Sequence, residues 1–316
     1  MSGVLVCGDL GSERCGVGAS EAAALAVVEP RPTTVDPRRV GAAVRALRRA
    51  RRERQPVVVA WPTRSTVSSP AATLTLALTA VLARGRVRWH LHEYAIFGAR
   101  RVLVDLLLAV GGGRVVVSTA SEADALRRSR GGRVARRVEV RVVPPANGTA
   151  VRAEPTAPAA PPVVGLFGTA RADKGLDVAL AALRALPPGA ARVETVGEGW
   201  DRTSWPAGTE VTHRGRVPTD DLAPLMRRWA LAIAPFADGA TDGRMSLRTP
   251  LTCGVPTLTT VRRPADLTLR PPHLLLDPAT AADEALATGR EDRARGAAAV
   301  AAFEAETVRQ LKDALW

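Results

Sequence analysis

The sequence runs through one kind of pattern twice, on either side of a stretch that cannot build a core. In the first half, apolar runs of strand length (Gly3–Cys7, Val57–Trp61, Val87–His92, Val115–Val117, Val138–Val143) alternate with helical segments (Glu21–Leu25, Val40–Arg54, Ala71–Ala83, Arg101–Val110, Ser121–Arg128). Strands separated by helix-length connections pair in parallel, because only a crossover of that length returns the chain to the same edge of a sheet. From Pro144 to Pro162 the composition turns to Pro, Ala and Thr and reads as an interdomain linker. The alternation then restarts, with strands at Val163–Phe167, Val193–Val196, Glu210–His213, Ala230–Ala234 and Pro256–Thr260. Helices are expected at Gly175–Leu186, Thr219–Trp229, Ala281–Leu286 and Arg295–Leu315. The fold class is therefore α/β, two Rossmann-like domains facing each other across a cleft. The boundaries are 1–150 and 151–316, with the last helix free to pack back on the N-terminal domain.

Composition narrows the function classes. A chain of 316 residues, 46% hydrophobic and 24% charged, has the balance of a globular protein. Its longest apolar run, Ala71–Ala83, is too short to span a bilayer and contains threonines. The N-terminus shows no basic segment followed by an apolar one, so no secretory signal is read there. Three cysteines (Cys7, Cys15, Cys253) are odd in number and lack metal-ligand spacing, so a reduced cytoplasmic setting is expected. The net charge of +13 is almost wholly arginine, lysine occurring only at 174 and 312. With abundant Ala, Gly and Pro this has the look of a GC-rich, actinobacterial coding bias, which weakens arguments from charge to nucleic acid. The densest cluster, Val35–Arg54, forms a helix with Val40, Val44 and Leu47 on one stripe and Arg45, Arg48, Arg49 and Arg52 on other faces. A solvated arginine face is the simpler reading; attraction to an anionic acceptor or a peripheral membrane contact is the sharper one. No aromatic residues interleave with these cations, so no nucleic-acid partner is expected.

The stretch Pro235–Thr260 carries the first functional signal. An apolar strand gives way to a loop rich in Gly, Asp and Thr, then to a short helix that Ser246 can cap, with Pro250 tolerable in the first turn. Gly254 reads as the left-handed stop. A loop feeding a helix N-terminus at the end of a buried strand is where anions dock in open α/β sheets. An ordinary connection without a ligand fits these residues equally well.

A second signal opens the second half, where the strand ending at Phe167 leads through Gly168 to Arg171, Lys174 and a helix. Two cations at the mouth of a sheet beside a helix N-terminus suit a diphosphate.

The segments FGTARADKGLDVALAAL, VGEG (Val196–Gly199), RGRVPTDDLAPLM (Arg214–Met226) and Pro235–Thr260, in that order, resemble the C-terminal half of a family-four retaining glycosyltransferase of GT-B fold. Arg14–Gly18, Trp61–Arg64 and Leu91–Tyr94 resemble segments of a bacterial branch of that family. The resemblance implies a nucleotide-sugar donor held mainly by the second domain and a small-molecule acceptor by the first, with no cofactor beyond the nucleotide-sugar co-substrate and no metal. It implies catalytic roles for His92, Arg171 and Lys174. It places the donor near Gly16, Val17, Gly18, Gly168, Arg171, Lys174, Gly197, Asp238, Gly239, Arg244, Met245, Ser246 and Leu247. On the acceptor side it places Trp61, Arg64, His92 and Glu93. The acceptor nucleophile is a hydroxyl, amine or thiol, and the small size leans towards specialised natural-product metabolism. The family's two donor-binding glutamates correspond to Thr241 and Thr249, a departure that shifts the expected donor contacts to Arg244, Ser246 and backbone N–H groups. The alternatives are a catalytically inactive relative acting as a partner protein, or an arginine-driven binder of nucleic acid or an anionic membrane surface.

Overall fold

A computed structural model describes residues 3–10, 16–62, 69–92, 101–129, 134, 136–147, 161–171, 174–186, 189–277, 280–281, 284–285 and 288–316. The chain divides into two compact units, Met1–Gly148 with Glu304–Trp316, and Thr149–Phe303.

The first unit is built on a six-stranded parallel sheet. Its strands are β1 (Val4–Val6), β2 (Thr33–Val35), β3 (Val57–Trp61), β4 (Val87–Leu91), β5 (Gly113–Val117) and β6 (Val138–Val142), in the order β2-β1-β3-β4-β5-β6. Both faces of such a sheet must be covered, which is why β3 is buried at every position and reads as an unbroken apolar run. One face is covered by helices α2 (Val40–Arg52), α3 (Pro70–Leu82), α4 (Arg101–Gly111) and α5 (Ala120–Arg128), whose residues Leu47, Leu76, Leu108 and Leu126 pack with Val57, Trp89 and Val115. On the other face α1 (Gly16–Leu25) contributes Ala24 to a cluster with Leu5, Val58 and Val116. The same cluster includes Leu311, Ala314 and Leu315, from the end of the long helix α9, whose full extent is Arg290–Leu315. Gly3 lies under the ring of Trp316, where a Cβ would come within 2.6 Å of the indole.

Helix α2 buries Ala43, Leu47 and Ala50 and leaves Arg45, Arg48, Arg49, Arg51 and Arg52 exposed. Its core stripe is therefore centred one step away from Val40 and Val44, which are half-buried. The edge strand β2 was not foreseen because Thr33 and Thr34 are exposed and give no apolar run.

The second unit holds strands β7 (Val163–Phe167), β8 (Arg192–Val196), β9 (Val211–His213), β10 (Trp229–Ala234), β11 (Thr257–Thr259) and β12 (Leu274–Leu275), ordered β12-β11-β10-β7-β8-β9 and parallel throughout. Helix α6 (Leu176–Ala185) packs Ala179 and Leu183 against Val164, Leu166 and Ile233. Helix α7 (Thr219–Met226) packs Leu222 and Met226 against Val196, Trp229 and Ala232. Helix α8 (Met245–Thr252) packs Leu247 and Leu251 beside Ala234 and Phe236.

The pairing of β7 with β10 is the tightest fit in this sheet. A Cβ at Gly165 would fall 2.0 Å from the buried indole of Trp229, so glycine makes the room for the ring. Trp229 Nε1 donates to Glu194 at 2.7 Å, and the same buried carboxylate accepts from Arg214 Nε at 2.7 Å and Arg228 Nη2 at 3.3 Å. A buried carboxylate is tolerable when donors satisfy its oxygens, and this one locks the ring in place. The structure corrects two expectations about α8. Ser246 is not its cap: the helix begins at Met245 behind Arg244, with no side-chain cap. Pro250 lies inside the helix and not in its first turn. Gly254 does stop the helix in the left-handed conformation, at φ +70°.

Replacing Gly165 by Ala should cost about 3 kcal/mol, since overpacking a fixed ring forces strain into the core. Gly41→Ala, on the exposed face of α2, should instead be neutral or stabilise by up to about 1 kcal/mol. Equilibrium urea unfolding of both variants checks this pair; equal stability of the two would contradict the packing.

Candidate functional site

In the second sheet the chain starts at β7, runs outward through β8 and β9, then returns to the other side of β7 as β10 and continues to β11 and β12. The carboxyl ends of β7 and β10 therefore flank the point where strand order reverses, the position at which open α/β sheets hold ligands. Residues that follow β7 (Gly168, Lys174, Gly175) meet there the loop Pro235–Arg244 that follows β10, Gly175 lying against the backbone of Phe236 and Ala237.

The floor of this site is made by backbone. Gly168 sits at φ +109° and Gly197 at φ +123°, and a Cβ on Gly197 would lie 2.1 Å from the Gly168 carbonyl oxygen. That carbonyl accepts from Trp200 Nε1 at 2.7 Å, and Gly168 N donates to the Val196 carbonyl at 2.9 Å. Because Gly168 has no side chain, Ser246 and Lys174 come close: a Cβ there would stand 3.3 Å from Ser246 Cβ and 3.4 Å from Lys174 Nζ.

Above this floor the charges gather around Phe236. Lys174 Nζ donates to Ser246 Oγ at 2.6 Å and lies 4.7 Å from the centroid of the buried Phe236 ring. Arg244 Cζ lies 4.9 Å from the same centroid, and its Nη2 is tied to Asp238 Oδ2 at 2.7 Å. Two cations thus share one aromatic ring at the start of α8. No acidic residue stands in the first turn of that helix and no side chain caps it. Uncapped N–H groups, the helix dipole and two cations together favour an anion.

The remaining residues foreseen near the donor take different parts. Gly239 turns the loop at φ +90° and is pressed against Arg262, whose backbone N would be 2.8 Å from a Cβ. Leu247 is fully buried in the core and its backbone N–H donates to the Arg244 carbonyl at 3.0 Å, while Met245 is half-buried. Arg171 is exposed, and its carbonyl accepts from Lys174 N at 3.0 Å. Thr249 is fully buried and Thr241 half-buried. Between them Asp242 ties this loop to the segment after β11: its carboxylate accepts from Thr268 N and Oγ1 and from Leu269 N, at 2.6–3.0 Å. Its carbonyl accepts from the wholly buried Arg248 at 2.8 Å.

The first unit has its own convergence of side chains. Gly16, Val17 and Gly18 lie in the first turn of α1, inside the helix. A Cβ on Gly18 would lie 1.9 Å from the carbonyl oxygen of Asp9, so this helix starts in direct contact with the loop after β1. Trp61 ends β3, and its carbonyl accepts from His92 N at 3.1 Å; the His92 carbonyl accepts from Ser118 Oγ at 3.1 Å. His92 is thereby fixed between neighbouring strands. Arg64 and Glu93 lie outside the described residues.

Sequence reasoning missed two partners of His92. His90 shares its face of β4, since alternate strand residues point the same way, and Glu21 reaches both rings from α1. Glu21 Oε1 lies 2.9 Å from His92 Nε2 and 2.5 Å from His90 Nδ1, and all three residues are buried. Their ligand atoms lie within 4.8 Å of one another, the group among the described residues that could hold a metal ion. Burial would raise the Glu21 carboxyl, but the adjacent His90 and His92 imidazoles more than offset it and keep it a carboxylate. Burial, with His90 alongside, pushes His92 down to about 4 in spite of Glu21. The Phe236 ring was also overlooked, although an aromatic following Pro235 at a strand end, in a chain with only four Phe, was a readable signal.

His273, in the second unit, is a third buried imidazole, and like His92 it is held neutral. Its Nε2 donates to the Leu251 carbonyl at 3.0 Å, and burial pushes it down to about 4. The ordinary value for both rings is 6.5. Since the unfolded chain takes up these protons first, stability should be complete above about pH 6.5. It should fall as the pH drops towards 4, by on the order of 3 kcal/mol per ring at the limit. Urea midpoints measured between pH 7 and pH 4.5 check this; a flat profile would mean that neither ring is held neutral.

No family model matches the chain, and no curated protein matches its sequence. Solved structures do. An alpha-glucosyltransferase in complex with UDP and a 13-mer DNA containing a HMU base aligns with a TM-score of 0.61 at 10% identity, covering 97% of this chain and 95% of that one. Anabaena HepE in complex with UDP-glucose aligns with a TM-score of 0.59 at 16% identity, covering 100% and 98%. A sucrose-phosphate synthase from Thermosynechococcus elongatus aligns with a TM-score of 0.50 at 16% identity, covering 88% and 76%. At these identities the likeness is one of fold: the chain has the α/β fold of GT-B glycosyltransferases.

Proposed function

We propose that this chain is a glycosyltransferase that moves a sugar from a nucleotide-sugar donor to a small acceptor, with retention of configuration and without a metal ion. The observation that carries the reading is the pair of cations, Lys174 and Arg244, around Phe236 at the uncapped start of α8. This is the chemistry a leaving nucleoside diphosphate needs. As the bond to the sugar breaks, charge develops on the phosphate, and fixed cations and helix N–H groups stabilise it without reorganising. Support comes from the fold, shared with structures that hold UDP or UDP-glucose. The family-four resemblance supports retention, metal independence and the division of donor and acceptor between second and first units. The acceptor is placed near Trp61 and His92, and its nucleophile is a hydroxyl, amine or thiol.

One observation favours a second reading. The positions of the two glutamates expected from the resemblance are occupied by Thr241 and Thr249, and Asp242 and Arg248 are engaged in buried hydrogen bonds that hold the loop and α8 in place. A chain so changed could bind a nucleotide and transfer nothing, serving as a partner protein.

The test is a thermal-shift screen of UDP, GDP, ADP and dTDP and their sugars, since a ligand that binds only the folded state raises the melting temperature. At least one nucleotide should shift the wild type. Lys174→Ala, Arg171→Ala and Arg244→Ala should each weaken that binding tenfold or more while melting near the wild type without ligand. Indifference to every nucleotide would refute the donor site. Binding with no transfer to any acceptor, and no donor hydrolysis, would favour the partner protein.

A further inference from the structure

The amino ends of the first sheet's strands carry a row of charge that neither the core nor the Trp61–His92 end of the sheet uses. In the parallel register Arg88 on β4 is the partner of Arg114 on β5, and Arg114 is the partner of Glu139 on β6. Val87, Trp89 and Val115 enter the core beneath α2–α5, so Arg88 and Arg114 take the opposite face, the one to which the end of α9 brings Leu311 and Ala314. Neighbouring strands stand about 4.8 Å apart, and two arginines are thus set side by side. Gly113 keeps the strands close at this point: a Cβ there would fall 2.0 Å from the Val87 carbonyl oxygen.

Such a row should be neutralised, and only part of it is. Arg114 Nε donates to Glu139 Oε2 at 2.9 Å, and its Nη1 donates to the carbonyls of Asp313 and Ala314 at 3.2 and 2.9 Å. Arg141 Nε takes the other Glu139 oxygen at 2.6 Å. Arg86 Nη1 donates to the carbonyls of Ala50 and Arg51 near the end of α2, at 3.4 and 3.3 Å. These three cations answer helix carboxyl ends or the Glu139 carboxylate, an ordinary structural use. Arg88 has no such use. It is half-buried, and among the described residues it makes neither a hydrogen bond nor an ion pair. Burial, with Arg114 and Arg141 alongside, pushes its guanidinium down from the ordinary arginine value, and only Glu139 opposes them. Arginine does not shed its proton in a protein, so the penalty of burying it stands until an anion answers it.

These side chains border a cleft of about 400 Å³, whose lining includes Arg54, Arg86, Arg88, Gly113, Arg114 and Glu139. That volume falls in the lower part of the range for small-molecule sites, roughly 300–1,000 Å³. Arg54 is exposed, holds the left-handed conformation at φ +55°, and also makes no hydrogen bond or ion pair among the described residues. With Arg86 and Arg114 turned to carbonyls and Glu139 shared by two arginines, the unanswered charge in the cleft is positive. Guanidinium forks match phosphate oxygens in pairs, and a phosphate offers more of them than a carboxylate does.

We propose that this cleft is a binding site for a small phosphate-bearing anion, a diphosphate or a phosphate ester, held by Arg88 and Arg114 with Arg54 beside them, at the end of the sheet opposite Trp61 and His92. The site lies wholly in the first unit and does not rest on the glycosyltransferase reading. Bound there, the anion ties β4 to β5 and, through Arg114, to the last turn of α9. Arg88 is then kept for its ligand at the expense of the empty protein's stability, a trade that binding sites commonly make. A longer phosphate polymer is the rival occupant, but no aromatic residue lines the cleft for bases to stack on.

The test uses pyrophosphate as the probe on the full chain, by calorimetric titration and thermal shift at fixed ionic strength, with chloride as the control. Pyrophosphate should bind the wild type and raise its melting temperature beyond the effect of chloride. Arg88→Gln should weaken that binding by about tenfold or more, the worth of a charged hydrogen-bonding pair. Without ligand it should melt no lower than the wild type, because it removes a repelled charge that nothing holds. Lys174→Ala, in the second unit, should keep the Arg88-dependent binding, which separates this site from the donor site. Equal binding by the wild type and Arg88→Gln would overturn the proposal. So would a markedly lower melting temperature of Arg88→Gln without ligand, or a response to pyrophosphate no larger than that to chloride. Capture by single-stranded DNA or by phosphatidylserine vesicles through Arg88, with no response to pyrophosphate, would give the cleft to a larger partner and overturn it as well. If no nucleotide binds but pyrophosphate binds through Arg88, the transferase reading falls and this site stands.

Discussion

The approach of Gly197 to the carbonyl of Gly168 is the constraint on which the second unit's site depends. Two backbone segments at the ends of neighbouring parallel strands come closer than any side chain would allow, and both adopt a conformation that favours glycine. The bared Gly168 then admits Lys174 and Ser246, and Phe236 lies beneath the two cations as a rigid apolar support. What is delivered to the strand ends is a concentration of N–H groups and positive charge on a floor that cannot relax. Preorganisation of this kind stabilises charge where a mobile loop would spend the same energy on ordering itself.

The two units answer the same topological problem with different chemistry. In the second, the reversal of strand order is furnished with cations and free helix N–H groups. In the first, the strand ends carry a carboxylate and two imidazoles, nearly sealed from water. One arrangement suits a charge that departs, the other a group that must be oriented. Elsewhere the buried charges are consumed by architecture: Glu194 holds the Trp229 ring, Asp242 staples its loop, and Arg293 donates to the carbonyls of Trp229 and Ala230. Each is close to fully satisfied, which is what makes its burial tolerable.

Much of the fold was legible because parallel sheets write themselves as continuous apolar runs. Val57–Trp61 and Val163–Phe167 fall where those runs predict. The failures have physical reasons. Strand β2 is an edge with two exposed threonines, and β12 has only two residues, so neither has a pattern to display. Ser246 looked like a cap because capping serines and lysine-bound serines are the same residue in sequence; only the contact with Lys174, 72 positions away, separates them. Local spacing foretold cations at a helix start. It could not foretell that Glu21 reaches His90 and His92, since that pairing is made by the strand order, which brings α1 over β3 and β4. His90 was within reach of a period-two reading of Trp89-His90-Leu91-His92; Glu21 was not.

The contact of Gly3 with Trp316 joins segments that lie far apart in the chain, on either side of the second unit. Strand β1 belongs to a sheet face that Leu311, Ala314 and Leu315, about 300 residues later in the chain, complete. Arg114 on β5 also waits, since its guanidinium donates to the carbonyls of Asp313 and Ala314. The second unit, Thr149–Phe303, is synthesised entirely in between and contains its own sheet. The first unit's apolar face therefore stays uncovered while the whole of the second unit is being made. Such an interval exposes a nascent chain to aggregation and to chaperones.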